Sequence, residues 1–452
     1  MYDIKILNAK FPDYDTNTFK ISDICIKNGK IDHIGTNSIG AKLEINAENL
    51  ITSPGFIDIH MHEEELGKYP LLENFYIAER MLKMGVTSAL GGNCGINHQT
   101  PEVFINHVEN NNAPINYMMK LGYNSLREKI GIHSPNAKIS DYQLDTICKE
   151  ITNNIPFGIK GISFGIEYSP GIEYNEMLKV SKLLDPEKHL ISAHYRSDAS
   201  ESVASINELI SLSKESSIPM QISHIGSCSA YGYMDQALDL IQEARENKLS
   251  IMADCYPYNA FCTYIGSEVF NEGCLEEWHV DYSSILLTQE PYKNVKCTKD
   301  IFEDARKNHP NMLAVAFVMN DEEIISAMKS PFVMIASDEI YNGVHGHPRG
   351  AGTFPRVLGK YVREEKHLDL IEALNKMTKM PAERLSLHQK GQIKEGYDAD
   401  ITIFDDEKIM DVADFTNNPI APPQGIEYVL INGKMVLKNN IIISNNSGVL
   451  LV

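Results

Sequence analysis

Five side chains that commonly bind metals, and one aspartate, each follow a short apolar run, although they span nearly three hundred residues. The run Gly55-Phe56-Ile57-Asp58-Ile59 ends in His60-Met61-His62, and Val86-Thr87-Ser88-Ala89-Leu90 leads into Gly91-Gly92-Asn93-Cys94-Gly95. Leu190-Ile191-Ser192-Ala193 ends in His194, Pro219-Met220-Gln221-Ile222-Ser223 in His224, and Phe332-Val333-Met334-Ile335-Ala336-Ser337 in Asp338. Two residues apart on a strand, His60 and His62 face the same side with backbones roughly 7 Å apart, so their imidazoles can converge on one ion. Glycines around Cys94 leave its sulfur unshielded, and a thiolate is a soft ligand that zinc accepts readily. With His194 and His224 it supplies three ligands and leaves a fourth tetrahedral position for water, the pattern of a catalytic zinc. Asp338 suits the base that takes a proton from that water and passes it to a leaving amine.

Taken singly, each residue has a plainer reading. His-x-His arises by chance, a buried cysteine is usually inert, single histidines sit satisfied in cores, and Ser337-Asp338-Glu339 suits a helix cap. Their shared position at the ends of apolar runs is what points to a metal-dependent hydrolase.

A parallel barrel places the ends of all its strands on one face, where distant ligands meet. Strand-like runs begin near Gly55, Val86, Ile115, Ile159, Leu190, Pro219, Ile251 and Phe332, and helical segments such as 144–151 and 234–247 lie between them. That alternation predicts a parallel sheet covered by helices. A ninth run, 312–319, exceeds eight slots and is assigned to an insertion before the last strand. The polar stretch 267–311, which holds the single Trp278, reads as a lid or as a plain surface excursion. Asn28-Gly29 and Asn432-Gly433, each between alternating segments, predict hairpins near both ends of the chain. The expected fold is α/β: a (β/α)8 barrel over 54–395 with an insertion around 267–320. A small β-sandwich lobe is expected from 1–53 plus 396–452, the alternative being two unrelated β-tails.

The length of 452 residues and the 43% hydrophobic content allow one barrel plus such a lobe. A net charge of −20 argues against nucleic acid and anionic membranes as partners. Neither a basic-then-apolar leader nor a bilayer-length apolar stretch is present, and the eight cysteines lack tight CxxC spacing, so a cytoplasmic, thiol-bearing protein is expected. The sequence is neutral on whether the chain forms a homo-oligomer.

Beyond these features, the segment Pro54-Gly55-Phe56-Ile57-Asp58-Ile59-His60-Met61-His62, the framing β-segments and Asp338 resemble the amidohydrolase superfamily. Gly92-Asn93-Cys94-Gly95, Asp254-Cys255-Tyr256-Pro257-Tyr258 and the long segment from His347-Pro348-Arg349-Gly350 through Glu364 resemble the D-aminoacylases, the N-acyl-D-amino-acid deacylases. The resemblance spans essentially the whole chain and is weakest over 261–311. It implies a tight zinc on Cys94, His194 and His224, and a second, weaker site at His60 and His62 bridged by the cysteine. It further implies Asp338 as general base and Arg349 as the grip on the substrate α-carboxylate, with Tyr168, Tyr256 and Tyr258 as further substrate contacts. One departure stands out: Gly226 occupies the place where this family usually has a lysine, so neutral or bulky side chains are expected over acidic ones. Two rivals remain open: a cyclic-amide hydrolase of the dihydroorotase or hydantoinase kind, and a non-catalytic assembly protein. The first commonly needs a carboxylated lysine at a middle strand end, and Lys160 lies at a strand start instead. The second would be marked by lost ligands, and none is lost.

Overall fold

In the computed structural model, which describes residues 1–69, 74–111 and 113–452, Asn28-Gly29 and Asn432-Gly433 each close a two-residue hairpin. All four turn residues have positive φ, 51° and 79° in the first, 49° and 73° in the second. This is the turn geometry that matches the twist of flanking strands. The paired strands are Thr18–Lys27 with Lys30–Ile34, and Ile426–Ile431 with Lys434–Lys438. The two turns meet back to back: a β-carbon on Gly433 would lie 2.7 Å from the Gly29 Cα. Glycine is needed there both for its φ and for the close approach.

Both hairpins belong to a sheet of nine strands among the described residues. Ile51–Pro54 joins its halves, pairing antiparallel with Ile401–Phe404 and parallel with Tyr2–Asp13. Ile4, Ile6, Ile26, Ile401, Ile403 and Leu430 share one core, so residues from both ends of the chain pack together.

Gly55 carries the chain from this sheet into the barrel. Phe56–Asp58, Val86–Gly91 and Asn116–Met119 run parallel. After Lys120 the third strand continues as Leu121–Gly122, which pairs with Gly161–Gly165. Leu190–His194, Met220–Ile222, Ile251–Cys255 and Val333–Ile335 follow, all parallel. A bridge between Met61 and Glu339, and a 2.8 Å bond from Asp338 N–H to the His60 carbonyl, close the ring. The strands read as unbroken apolar runs because both their faces are buried. Helices such as Asp141–Asn154, opened by a Ser140–Gln143 capping box, and Met234–Glu246 cover the outside. The observed fold is therefore the (β/α)8 barrel with an additional β-rich part that the sequence predicts.

Between the seventh and eighth strands the chain builds a second small sheet. Phe261–Tyr264, Leu313–Ala316, Ile285–Leu287 and Val295–Lys296 pair antiparallel in that order. The ninth apolar run thus supplies an inner strand, flanked on both sides, which accounts for its hydrophobicity. Trp278 packs edge-on against Phe261 and Phe270, with centroids 5.3 and 5.9 Å away. One face of this sheet, with Cys262, Leu286, Leu313 and Val315, forms a small core, while Phe261, Phe270 and Trp278 join the main core. Phe261, Cys262, Thr263 and Val269 line a cavity over the strand ends. Among the described residues no helix is long and apolar enough to cross a membrane.

Candidate active site

Each donor singled out in the sequence lies at or just beyond the C-terminal end of a barrel strand, and the barrel brings them together. Cys94 Sγ is 3.3 Å from His60 Nε2 and 3.4 Å from His224 Nε2. His194 Nδ1 lies 3.0 Å from the same His224 nitrogen. Asp338 Oδ1 is 3.2 Å from His60 Nε2 and 3.3 Å from His62 Nε2. Donor atoms of His60, Cys94, His224 and Asp338 all lie within 4.8 Å of one another. Bonds of about 2.0–2.3 Å to a tetrahedral zinc put ligand atoms about 3.3–3.6 Å apart. The observed spacings fall in or just below that range. The set therefore has the size and the sulfur–nitrogen chemistry that zinc takes, with Cys94 placed between a His194–His224 side and a His60–His62–Asp338 side.

Three of these residues hold unusual backbone: φ is 50° at Cys94, 31° at His224 and 46° at Asp338. Left-handed geometry at a residue other than glycine costs on the order of 1–3 kcal/mol and persists where surroundings fix it. Here the fixing bonds are visible. Asp254 Oδ1 accepts the His224 N–H at 2.8 Å, Ser163 Oγ accepts the Gly95 N–H at 2.9 Å, and the His60 carbonyl accepts the Asp338 N–H.

Electrostatics reinforce the donor set. Burial alone would raise the Cys94 thiol, but the charges of His60 and His224 outweigh it and hold the thiol well below its ordinary value. Burial likewise opposes ionisation of Asp338, and Arg349, followed by His224 and His60, holds it well below the carboxylate range. The thiol and the carboxyl group are thus kept ionised by the cationic groups around them, a role that a bound metal ion would take over from the imidazole protons.

Two carboxylates outside the sequence-derived set orient the imidazoles. Glu167 Oε2 is 2.6 Å from His194 Nε2, leaving Nδ1 for the cluster. Asp254 Oδ1 is 3.0 Å from His60 Nδ1, leaving Nε2. Carboxylate–histidine pairs of this kind fix ring tautomer and direction. Each closes or just follows a barrel strand, but nothing local in the sequence shows which histidine it meets. A third addition is Lys120, buried between Asn93 Oδ1 and Ser192 Oγ, the latter at 2.6 Å. Burial pushes its ammonium down to about 7, against the pull of Asp254 and Cys94. Lys160, by contrast, precedes its strand and lines a depression with Lys188, His189 and Arg384, among the residues that start the strands.

Arg349 is 2% exposed; its Nη2 lies 2.9 Å from Asp338 Oδ2 and donates to the Cys262 carbonyl at 3.2 Å. Its Nε and Nη1 have no hydrogen-bond partner among the described residues. The guanidinium stacks 4.6 Å over the Tyr256 ring, whose buried hydroxyl lacks a hydrogen bond of ordinary geometry. Tyr168 lies against His194, with ring centroids 4.7 Å apart, and both it and Tyr256 line the cavity. Tyr258 is not brought to that lining. A three-residue turn, Tyr258 N–H to the Tyr256 carbonyl at 3.0 Å, breaks the alternation that would put both rings on one side. Its ring instead stacks under Arg356 at 4.5 Å and meets His347 edge-on. A side chain at Gly226 would likewise point away, its β-carbon 2.5 Å from Ile324 Cδ1 and 3.2 Å from Cys255 Sγ. Ser227 faces the cavity in its place, and Arg349 is the only arginine or lysine among the described residues that line it.

A closed parallel barrel that gathers histidine, cysteine and aspartate donors at its C-terminal face is the architecture of a metal-ligating barrel enzyme. The Amidohydrolase family model matches residues 51–436, and the chain belongs to that family. It is 25% identical to a D-aminoacylase of Alcaligenes xylosoxydans xylosoxydans, covering 99% of this chain and 97% of that protein. It is 26% identical to an N-acyl-D-glutamate deacylase of the same organism, over 91% and 89% respectively. A crystal structure of N-acyl-D-glutamate deacylase from Bordetella bronchiseptica, complexed with zinc and a phosphonate mimic of the tetrahedral intermediate, matches the fold with a TM-score of 0.87. That match has 22% identity and covers 100% of this chain and 99% of the other. An L-hydantoinase from Arthrobacter aurescens shares the fold at a TM-score of 0.65 and 14% identity, over 100% and 99% of the chains. The resemblance to the D-aminoacylases read from the sequence is thus met by full-length relatives of that name.

Proposed function

We propose that this protein hydrolyses the N-acyl amide of an N-acyl-D-amino acid, releasing a carboxylate and the free D-amino acid. Its relatives along the full chain are deacylases of such compounds. The observation that carries the reading is the buried Arg349 guanidinium beside the donor cluster, whose Nε and Nη1 have no hydrogen-bond partner among the described residues. Buried donors left unpaired cost free energy that a bound carboxylate would relieve. Cys94, His194 and His224 would hold zinc tightly, and His60 and His62, sharing the Cys94 sulfur, a second ion more weakly. When bound, zinc supplies Lewis acidity toward the acyl carbonyl and acidifies water. Asp338, ionised and central, accepts the proton of the attacking water and returns it to the departing amine nitrogen. Arg349 and Tyr256 orient the α-carboxylate, and Tyr168 and the wall from Phe261 to Thr263 exclude solvent. Tyr258 packs under Arg356 and edge-on to His347, outside the cavity lining. Eight unpaired cysteines fit a reducing, cytoplasmic setting.

Amine release from N-acetyl and N-formyl D- and L-amino acids, with dipeptides and hydantoins alongside and zinc quantified, tests the reading. Turnover of hydantoins without turnover of any N-acyl-D-amino acid would replace it with the cyclic-amide alternative. That alternative is disfavoured here because Lys160 is among the strand starts and Cys94 already stands where a bridging ligand would.

Two expectations follow for single residues. Arg349→Lys should raise KM and lower kcat/KM by about 1.5–3 kcal/mol, since an ammonium cannot reproduce the planar fork. Steady-state kinetics on one good substrate decide it, and an unchanged KM removes Arg349 from the carboxylate grip. Glu167→Gln should weaken zinc binding by about 10–100-fold, the usual scale for losing a carboxylate that orients a ligating histidine. Competition against a chelator measures this; wild-type affinity would reduce Glu167 to a packing role.

A further inference from the structure

Asp198 lies in the loop that leaves the strand Leu190–His194 and forms part of the cavity wall. It is 6% exposed, and its Oδ1 has no hydrogen-bond partner among the described residues. The Cys228 thiol, a weak donor, approaches this carboxylate. Asp198 belongs to a cluster apart from Asp338: its carboxylate groups with Glu167 and His194, donor atoms within 4.8 Å of one another. The cavity therefore contains Arg349 beside Asp338 and, near His194, a second buried carboxyl group with an unfilled acceptor, held above the usual carboxylate range by burial and by Glu167. Phe261, Val269 and Tyr168 supply apolar wall in the same cavity.

Although the cavity is closed down here to about 20 Å³, its lining offers partners for a carboxylate, an apolar stem and a cationic nitrogen. A long side chain lays its methylenes on apolar wall and presents its charge to an acid. No arginine or lysine among the described lining residues competes for Asp198 except Arg349, which is already paired with Asp338. We propose that Asp198 is a specificity-determining residue that receives a cationic nitrogen of the substrate. The nitrogen belongs either to a basic side chain of the D-amino acid or to the free amine of an aminoacyl group. This inference rests on the deacylase reading above and adds the class of substrate to it.

The test compares kcat/KM of the zinc-loaded enzyme for N-acetyl-D-lysine, glycyl-D-methionine, N-acetyl-D-methionine and N-acetyl-D-glutamate. One of the two cationic substrates should exceed N-acetyl-D-methionine by about tenfold or more, the scale of one charge-assisted hydrogen bond. Which of the two it is identifies the source of the nitrogen. In Asp198→Asn, checked for zinc content and melting temperature, that ratio should fall toward one. Turnover of N-acetyl-D-methionine with no advantage for either cation overturns the inference while leaving the deacylase reading intact. So does an advantage that survives Asp198→Asn. The wild-type ratios alone decide the matter if the variant does not fold, and turnover of none of the four substrates overturns the inference, while the wider substrate panel decides the deacylase reading.

Discussion

Asp338→Asn is expected to keep the fold and the zinc while lowering kcat by about a hundredfold or more, the usual scale of general acid–base work. The amide has the shape of the carboxylate, so the close approaches to His60 and His62 Nε2 can persist. What it lacks is a lone pair basic enough to take a proton. Burial opposes its charge, but Arg349 and the neighbouring imidazoles keep the wild-type carboxylate ionised and free to accept the proton, and its low hold on that proton favours passing it to the amine. The substitution also removes the ion pair with Arg349, so a modest rise in KM should accompany the loss in kcat. Turnover at neutral pH, with zinc content and melting temperature measured on the same sample, checks the expectation. A nearly normal rate would leave Asp338 a structural residue at the barrel's closing seam, where its N–H already bonds the His60 carbonyl.

The donors were legible in the sequence because barrel strands end abruptly. An apolar run buried on both faces must stop where side chains meet solvent or a site, and His60, Cys94, His194, His224 and Asp338 stand at or just beyond those stops. The residues that orient them were not legible in the same way. Glu167 acts on His194 because Gly165 and His194 are partners across adjacent strands, a register that no local pattern reveals. Asp254 was visible as part of a motif, yet its bonds to His60 and the His224 N–H depend on barrel curvature across several strands. Tyr258 shows the converse. Spacing of two residues from Tyr256 suggests a shared face, and a single three-residue turn sends the ring elsewhere. At Gly226 the sequence suggests one cation fewer in the pocket, yet a side chain there would not enter the cavity. The direction of that position, into the packing around Ile324 and Cys255, comes from a short helix that begins directly after His224. Asp198 left no trace in the sequence at all, since an acid in a loop is ordinarily solvated and only its burial here makes it notable.

Cys94→Ala should strip the tightly bound zinc, whereas His60→Ala should retain most of it. The sulfur is the one donor within 3.4 Å of nitrogens on both sides of the cluster, His60 Nε2 and His224 Nε2. Without it the His194–His224 side keeps two nitrogens, fewer than the three protein ligands of a catalytic zinc. Losing His60 leaves Cys94, His194 and His224 in place, with Glu167 still aligning His194 and Ser227 Oγ, 2.7 Å from His224 Nδ1, still fixing that ring. The first change should therefore lower zinc affinity by well over the roughly 10–100-fold that an orienting residue commands, and the second should act mainly on the weaker site. Both variants remove buried atoms at the barrel mouth, so melting temperatures are needed to separate lost metal from lost fold. Zinc per chain after exhaustive dialysis is the deciding measurement. Equal occupancy in wild type and Cys94→Ala would mean that the ion sits elsewhere, and the ligand set proposed here would fall with it.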